Sequence, residues 1–303
     1  MNIPKSSWQG IYKYLGDETD EFLSRVEKRL EKLKIAWQLS DFTFMQTDTV
    51  NLLYSCESAI YGACVIKMCI PGPEVATEIN CLRAYDGKGY CKLYAYDLED
   101  DALLLEKVMP GDQMWAVDDY KERARLMGVV IKELPFINNV KEQYPTYLSW
   151  MEKIHATLTK IGGLTDVLYY LNKAMEIYTE LKKRHPKACL LHGDLHQENM
   201  LLNSTGSYSI IDPKGVIDDP VMETARFLMN ETPCSETKIK EMAAIMSPMI
   251  GITEEDILKS MFIDTALSHS WTMEGHFTSI DAFEKEKQNV LETCEFVYGL
   301  LQT

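Results

Sequence analysis

A chain of 303 residues, 46% hydrophobic and 25% charged, is long for one compact core and predicts a two-lobed unit or two tightly joined domains. The formal charge of −15, from 31 basic and 46 acidic residues, repels nucleic-acid backbones and anionic membranes and favours cationic partners. No segment approaches the roughly 20 apolar residues of a membrane span, and Lys5-Ser6-Ser7 opens no signal peptide, so a cytoplasmic protein is expected.

Between residues 20 and 37 the apolar positions Phe22, Val26, Leu30, Leu33 and Trp37 recur every three or four residues, which predicts an amphipathic helix. Residues 42–55 suit two strands about a turn near Thr47-Asp48, a turn that carries no glycine. Residues 59–70 read as a buried strand with Val65, Lys67 and Cys69 on one face and Cys64, Ile66 and Met68 on the other. A lysine inside such a strand must reach a counter-charge or snorkel to water. Pro71-Gly72-Pro73 breaks the strand and starts a helix on which Val75, Glu78, Ile79, Leu82 and Tyr85 share a face. Glu78 then points inward, toward Lys67; an edge lysine and an exposed glutamate are the alternative.

Residues 90–98 and 102–108 predict a hairpin about the acidic turn Glu99-Asp100-Asp101. Met109-Pro110-Gly111 is the clearest breaker and divides residues 1–110 from 111–303. Helices follow at 117–134, 145–159 and 164–184, then a short strand at 188–191 and a strand pair at 200–202 and 208–211. Residues 213–226 read as an acidic, proline-punctuated loop, and further helices fit 235–246, 253–273 and 282–301, the first with Ser235 as N-cap and Pro248 just past its end. The eight cysteines form no CxxC pair and have no histidines at metal-ligand spacing, which excludes a zinc site and suits a reducing compartment.

The most informative stretch, residues 190–212, reads LLHGDLHQENMLLNSTGSYSIID and places Asp194, Asn199 five residues on, and Asp212 after the next apolar run. Phosphoryl transfer depends on positioning a hydroxyl and neutralising phosphate charge with a divalent metal, and oxygen ligands suit Mg²⁺. The protein-kinase pattern has this order: an aspartate that accepts the substrate proton, an asparagine on one metal, and an aspartate on metal between the phosphates. Read singly, Asp194 and Asn199 suit a polar turn. Their joint occurrence with His192 and Asp212 favours a kinase-type site, with His192 holding the loop.

His192-Gly193-Asp194-Leu195-His196-Gln197-Glu198-Asn199, with Ile211-Asp212-Pro213-Lys214-Gly215, Asp219-Pro220 and residues 104–111, resembles the aminoglycoside phosphotransferase and choline kinase superfamily. Within it the chain is most similar to the aminoglycoside/hydroxyurea antibiotic resistance kinases, over residues 67–274. The resemblance implies a bilobal, protein-kinase-like α+β fold, with a small antiparallel-sheet N-terminal lobe holding one key helix and a larger, mainly helical C-terminal lobe. It implies ATP, Mg²⁺ and a small-molecule hydroxyl acceptor, a streptomycin-like aminoglycoside or, alternatively, an amino alcohol, a sugar or hydroxyurea; a non-catalytic nucleotide-binding module is the other alternative. By analogy Asp194 is catalytic, Asn199 and Asp212 are metal ligands, Lys67 and Glu78 anchor phosphates, and the backbone near Glu106 and Val108 meets adenine. Lys214 reaches the γ-phosphate or forms a surface ion pair, and His196, between the catalytic and metal positions, stays open. Asp219, Asp264, Trp271 and Glu274 are acceptor-site candidates, since acids beside an aromatic face suit a cation; exposed acids and a core tryptophan are the alternative. Asp218 stands where the family often has glycine. The sequence assigns no oligomeric state.

Overall fold

A computed structural model describes residues 11–12, 14–45, 51–231, 234–275 and 277–302. The expected turn near Thr47 lies outside the described residues.

Helix α1 (Thr19–Ala36) buries one stripe: Phe22, Leu23, Val26, Leu30 and Leu33. Strands β1 (Leu39–Met45), β2 (Leu52–Ser58) and β3 (Gly62–Met68) are followed by helix α2 (Pro73–Tyr85), β4 (Leu93–Asp97) and β5 (Ala102–Glu106). The strands form one antiparallel sheet in the order β1-β2-β3-β5-β4. The period-2 alternation of β3 sends its two faces into different cores. Cys64, Ile66 and Met68 join the α1 stripe, whereas Val65 and Cys69 pack with a larger core that continues into the rest of the chain. Lys67 lies on this second face.

The apolar stripe of α2, Val75, Ile79, Leu82 and Tyr85, belongs to that larger core. Tyr85 also donates its hydroxyl to the Leu190 carbonyl at 2.6 Å and stacks on Tyr90 at 4.1 Å. The helix therefore stands in the sheet lobe but is fastened to the helical one.

The helical lobe runs through β6 (Pro110–Gln113), α3 (Tyr120–Glu133), β7 (Ile137–Asn138), α4 (Tyr147–Ile161), α5 (Thr165–Arg184), β8 (Cys189–Leu191), β9 (Met200–Asn203), β10 (Tyr208–Ile210), β11 (Val216–Asp218), α6 (Ala225–Met229), α7 (Glu236–Ile250), α8 (Glu254–Thr272) and α9 (Ile280–Leu300). Two small sheets, β10-β9-β6 and β11-β8-β7, hold the segments on either side of Asp194. Helix α8 buries side chains on every face, from Ile257 to Ser270, and packs against α5, α6, α7 and α9, as expected of a helix at the centre of a lobe. No helix among the described residues is long and apolar enough to cross a membrane.

Two sequence expectations change. Residues 213–226 are not an open loop: β11 pairs antiparallel with β8, and Pro220–Thr224 forms a 3-10 turn. The apolar residues between its acids explain this, because Val216, Val221 and Met222 are buried. Helix α7 runs past Pro248 to Ile250 and ends on Gly251. Proline in a last turn forfeits one N–H bond, while Met249 beyond it packs so closely on α3 that its Sδ lies 2.9 Å from the place of a Cβ on Gly128.

Candidate active site

Strand β8 delivers the chain into His192-Gly193-Asp194. His192 is fully buried. Its Nδ1 accepts from the Asp194 N–H at 3.0 Å, so the ring proton sits on Nε2, which donates to the Ile211 carbonyl at 2.8 Å. Burial pulls this imidazole down to about 4, so it stays neutral and ties the loop to the segment that ends in Asp212. The His192 carbonyl in turn accepts from the N–H groups of Lys214 and Gly215 at 2.9 and 3.1 Å. Gly193 adopts φ +79°, and a Cβ there would lie 2.8 Å from Val216 Cγ1 and 3.2 Å from Trp150 Cη2. Only glycine combines that conformation with that close approach.

His196 caps a 3-10 turn, Gln197–Asn199. Asn199 donates Nδ2 to the Asp194 carbonyl at 2.9 Å and lies 3.2 Å from His196 Nε2. Glu223, 2% exposed, accepts from the Gly193 N–H at 3.0 Å. Burial pushes its carboxyl up to about 8 against the pull of the backbone donors.

On the sheet side, Lys67 donates to both oxygens of Glu78 at 2.7 and 2.8 Å and also contacts Asp212 Oδ1 directly. Lys67 and Glu78 are 4% and 6% exposed, so a lone charge at either position would be costly and the pairing is required. Burial alone would lower the lysine, but Asp212 and Glu78 outweigh it and hold its ammonium well above the usual range. For Asp212 the order is the same with opposite sign: burial pushes up, and Lys67 and Lys214 win, leaving the carboxyl well below its ordinary value. Asp212 sits at φ +58°, a left-handed conformation uncommon outside glycine and more tolerated by aspartate. Lys214 lies 3.8 Å from the exposed Glu74.

Asp194 has a neighbour that the sequence did not single out. The Nε of Arg226, on α6, lies 3.2 Å from Asp194 Oδ1 and 2.9 Å from Asp264 Oδ2. Burial would raise Asp194, but the Arg226 guanidinium, with the Lys214 ammonium, holds it below the usual carboxylate range. A second network supports the same loop. Gln197 donates to Glu231 at 3.0 Å, and Glu231, 1% exposed, is bound by Arg123 of α3 and by Lys238 at 2.8 Å. Charge alone gives no sign that Glu231 is buried among partners as distant in sequence as Gln197 and Arg123, 34 and 108 residues away.

The other expected residues divide. Glu106 closes β5 and accepts from the Lys92 N–H at 3.0 Å, and Val108 is buried in the junction core. Trp271 meets Trp150 edge to face at 5.4 Å, and the pair forms an aromatic wall whose Trp150 edge borders Gly193, the residue before Asp194. Glu274, one turn beyond Trp271, is exposed. Two acids depart from the expectation. Asp219 caps the Pro220–Thr224 turn and accepts from the N–H groups of Val221 and Lys187 at 3.1 and 3.0 Å, which commits both carboxylate oxygens to backbone. Asp264 is 0% exposed, under Arg226, and does not face solvent. Asp218 is likewise a structural acid, held by Tyr178 at 2.7 Å and Lys182 at 2.8 Å.

This arrangement has relatives. Residues 36–275 match the profile described as aminoglycoside/hydroxyurea antibiotic resistance kinase. A hydroxyurea phosphotransferase of Kitasatospora aureofaciens is 26% identical over 239 residues, 76% of this chain and 68% of that protein. A streptomycin 6-kinase of Streptomyces glaucescens is 21% identical over 223 residues, 73% of this chain and 72% of that protein. Among solved structures, a choline/ethanolamine kinase family protein from Mesorhizobium loti superposes with a TM-score of 0.68 at 14% identity, over 94% of this chain and 95% of that one. A thermostable mutant of aminoglycoside phosphotransferase APH(4)-Ia, in a ternary complex with ADP and hygromycin B, gives 0.58 at 12% identity, over 89% and 97%. The fold is thus the bilobal kinase-like one, with a sheet lobe and a helical lobe. The chain belongs to the aminoglycoside/hydroxyurea antibiotic resistance kinase family and is a phosphotransferase that acts on a hydroxyl group of a small molecule.

Proposed function

We propose that the chain transfers the γ-phosphoryl group of ATP, with Mg²⁺, to a hydroxyl of a cationic small molecule such as a streptomycin-like aminoglycoside. The observation that carries this reading is the contact of Lys67 with both Glu78 and Asp212, which sets a lysine of the sheet lobe against the helical-lobe segment that His192 ties to Asp194. Residues 1–110 then form the nucleotide lobe and residues 111–303 the catalytic lobe. Lys67 and Glu78 orient the α- and β-phosphates, and backbone at Glu106 and Val108 meets adenine.

Asp212 and Asn199 offer a carboxylate and an amide oxygen, the donors a small hard cation takes. These two residues would hold Mg²⁺ only together with a bound nucleotide, and the ion would supply neutralisation of phosphate charge there.

In the reaction the acceptor oxygen bonds to the γ-phosphorus, the bond to the β–γ bridging oxygen breaks, and ADP leaves with that electron pair. Asp194 takes the hydroxyl proton. Because Arg226 keeps Asp194 ionised, its first task is to orient the hydroxyl. The Trp150–Trp271 wall, the exposed Glu274 and the net charge of −15 support a cationic acceptor. Hydroxyurea is the second reading, favoured by the relative at 26% identity. The ATP requirement and eight free cysteines suit the cytoplasm.

The test is ADP release from Mg-ATP with streptomycin, hydroxyurea, choline and a neutral sugar. Release stimulated by streptomycin supports the aminoglycoside reading. Stimulation by hydroxyurea alone selects the second, and no thermal stabilisation by Mg-ATP contradicts both.

A further inference from the structure

Arg226 lies against Asp194, and the reaction described above uses only its charge. It projects from the five-residue helix α6, which follows the buried 3-10 turn Pro220–Thr224, and its side chain is 15% exposed. The guanidinium lies between two carboxylates. Asp264, in the middle of α8, receives Nη2 at 3.1 Å on Oδ1 and has Nε 2.9 Å from Oδ2, with the Tyr147 hydroxyl 3.5 Å from Oδ1. The same Nε lies 3.2 Å from Asp194 Oδ1, a charge contact, since Nε donates a hydrogen bond to neither carboxylate.

The two carboxylates differ in what they can do. Asp264 is 0% exposed in the most enclosed helix of the lobe, and an unpaired charge there is strongly destabilising. Asp264 therefore cannot release Arg226. The side chain of Asp194 is 21% exposed. The guanidinium is planar, with donors in a fixed fork, so fixing it at Asp264 also fixes the place where Nε meets Asp194. A lysine would offer one mobile point charge instead.

We propose that Arg226 is the positioning residue of the catalytic aspartate: Asp264 anchors the guanidinium, and the guanidinium occupies Asp194 Oδ1, leaving Oδ2 directed at the acceptor hydroxyl. The inference rests on the reading of Asp194 as the group that meets the acceptor. It gives Asp264 a new role, as the buried anchor of a positioning pair. It also predicts that the sequence pair Arg226 and Asp264 acts on kcat and leaves nucleotide affinity alone, since neither residue touches Lys67, Glu78 or Asp212 in this structure.

The experiment compares the full chain with Arg226→Gln, Arg226→Lys, Arg226→Ala, Asp264→Asn and Asp194→Asn. It reads ADP release from Mg-ATP with water and with streptomycin as acceptor, and thermal stabilisation by Mg-ATP. The expected result is a fall in kcat on the order of 100-fold for Arg226→Gln. KM for ATP and the Mg-ATP thermal shift stay within about two-fold, and the Arg226→Gln loss is absent on an Asp194→Asn background because the two act as one unit. Arg226→Lys should recover only part of the rate, and guanidinium ion in the low millimolar range should raise the rate of Arg226→Ala. Wild-type kcat in Arg226→Gln, or a rise in KM for ATP in place of the fall in kcat, overturns the proposal. If Arg226→Gln does not fold, Asp264→Asn, which keeps the shape, must still lower kcat with ATP binding intact; unchanged kcat there overturns it equally. If Asp194→Asn itself turns over at the wild-type rate, the parent reading of Asp194 fails, an outcome distinct from a dead Asp194→Asn with a fully active Arg226→Gln.

Discussion

Lys67 and Asp212 meet directly, and Glu78 holds the same ammonium at 2.7 and 2.8 Å, so one buried cation joins the sheet lobe to the end of the Asp194–Asp212 segment. Lys214 acts on Asp212 as well, so at the junction of the lobes two carboxylates are balanced by two ammonium groups.

Replacing Lys67 tests the balance. Lys67→Met keeps the length of the side chain but strands Glu78, whose partner is lost inside the junction core. The expected loss is about 3–5 kcal/mol in denaturant unfolding, together with loss of the Mg-ATP thermal shift. An unfolding midpoint equal to that of the wild type would mean that Glu78 is solvated in solution.

Glu223 gives the chain a pH dependence whose sign is fixed. Its carboxyl is raised from 4.5 to about 8 by burial, so between those values the native state holds a proton that the unfolded chain has released. Stability from this group is full below about 4.5 and is lost as pH rises through about 8. Glu223→Gln, which can still accept from the Gly193 N–H, should remove a slope on the order of 1 kcal/mol per pH unit. Identical pH slopes for variant and wild type would contradict the assignment.

Gly193→Ala introduces a Cβ at φ +79° and 2.8 Å from Val216 Cγ1. The backbone term alone is about 1–2 kcal/mol, and relief of the clash displaces Asp194 next door. Turnover should fall on the order of 100-fold while the Mg-ATP shift stays near wild type. A variant with normal stability and turnover would show that the loop has more room than Val216 and Trp150 leave it.

The aromatic wall makes a claim about the acceptor alone. Trp271→Ala should raise the KM for a cationic acceptor by about 1–2 kcal/mol, roughly five- to thirty-fold, with KM for ATP unchanged. Equal effects on both substrates would assign Trp271 to packing.

What the sequence discloses follows the range of the interactions. The strand alternation around Lys67 and the helix spacing around Glu78 are local patterns, and the pair they predict is present at hydrogen-bond distance. The placement of His192 as a loop-holding residue was also legible, because its role depends on neighbours two and nineteen residues away. Arg226 and Asp264 were not legible as a pair: they sit on different helices 38 residues apart, and each alone resembles an ordinary surface charge. Asp264 and Asp219 were noticed as acids, but burial and backbone donors, which no sequence pattern reports, decide what they hold. Trp150 reads as one more apolar position on a helix until Gly193 is brought against it. Helix α7 passes Pro248 for the same reason, since packing on α3 is a tertiary term that overrides a local stop signal.

The central claim is that Asp194 receives the proton of the acceptor hydroxyl. Asp194→Asn preserves the shape of the side chain and removes its charge. Steady-state ADP release from Mg-ATP with streptomycin or hydroxyurea, measured beside the thermal shift with Mg-ATP, should show kcat reduced about 100- to 10,000-fold with nucleotide binding retained. Wild-type turnover in the variant would contradict the account.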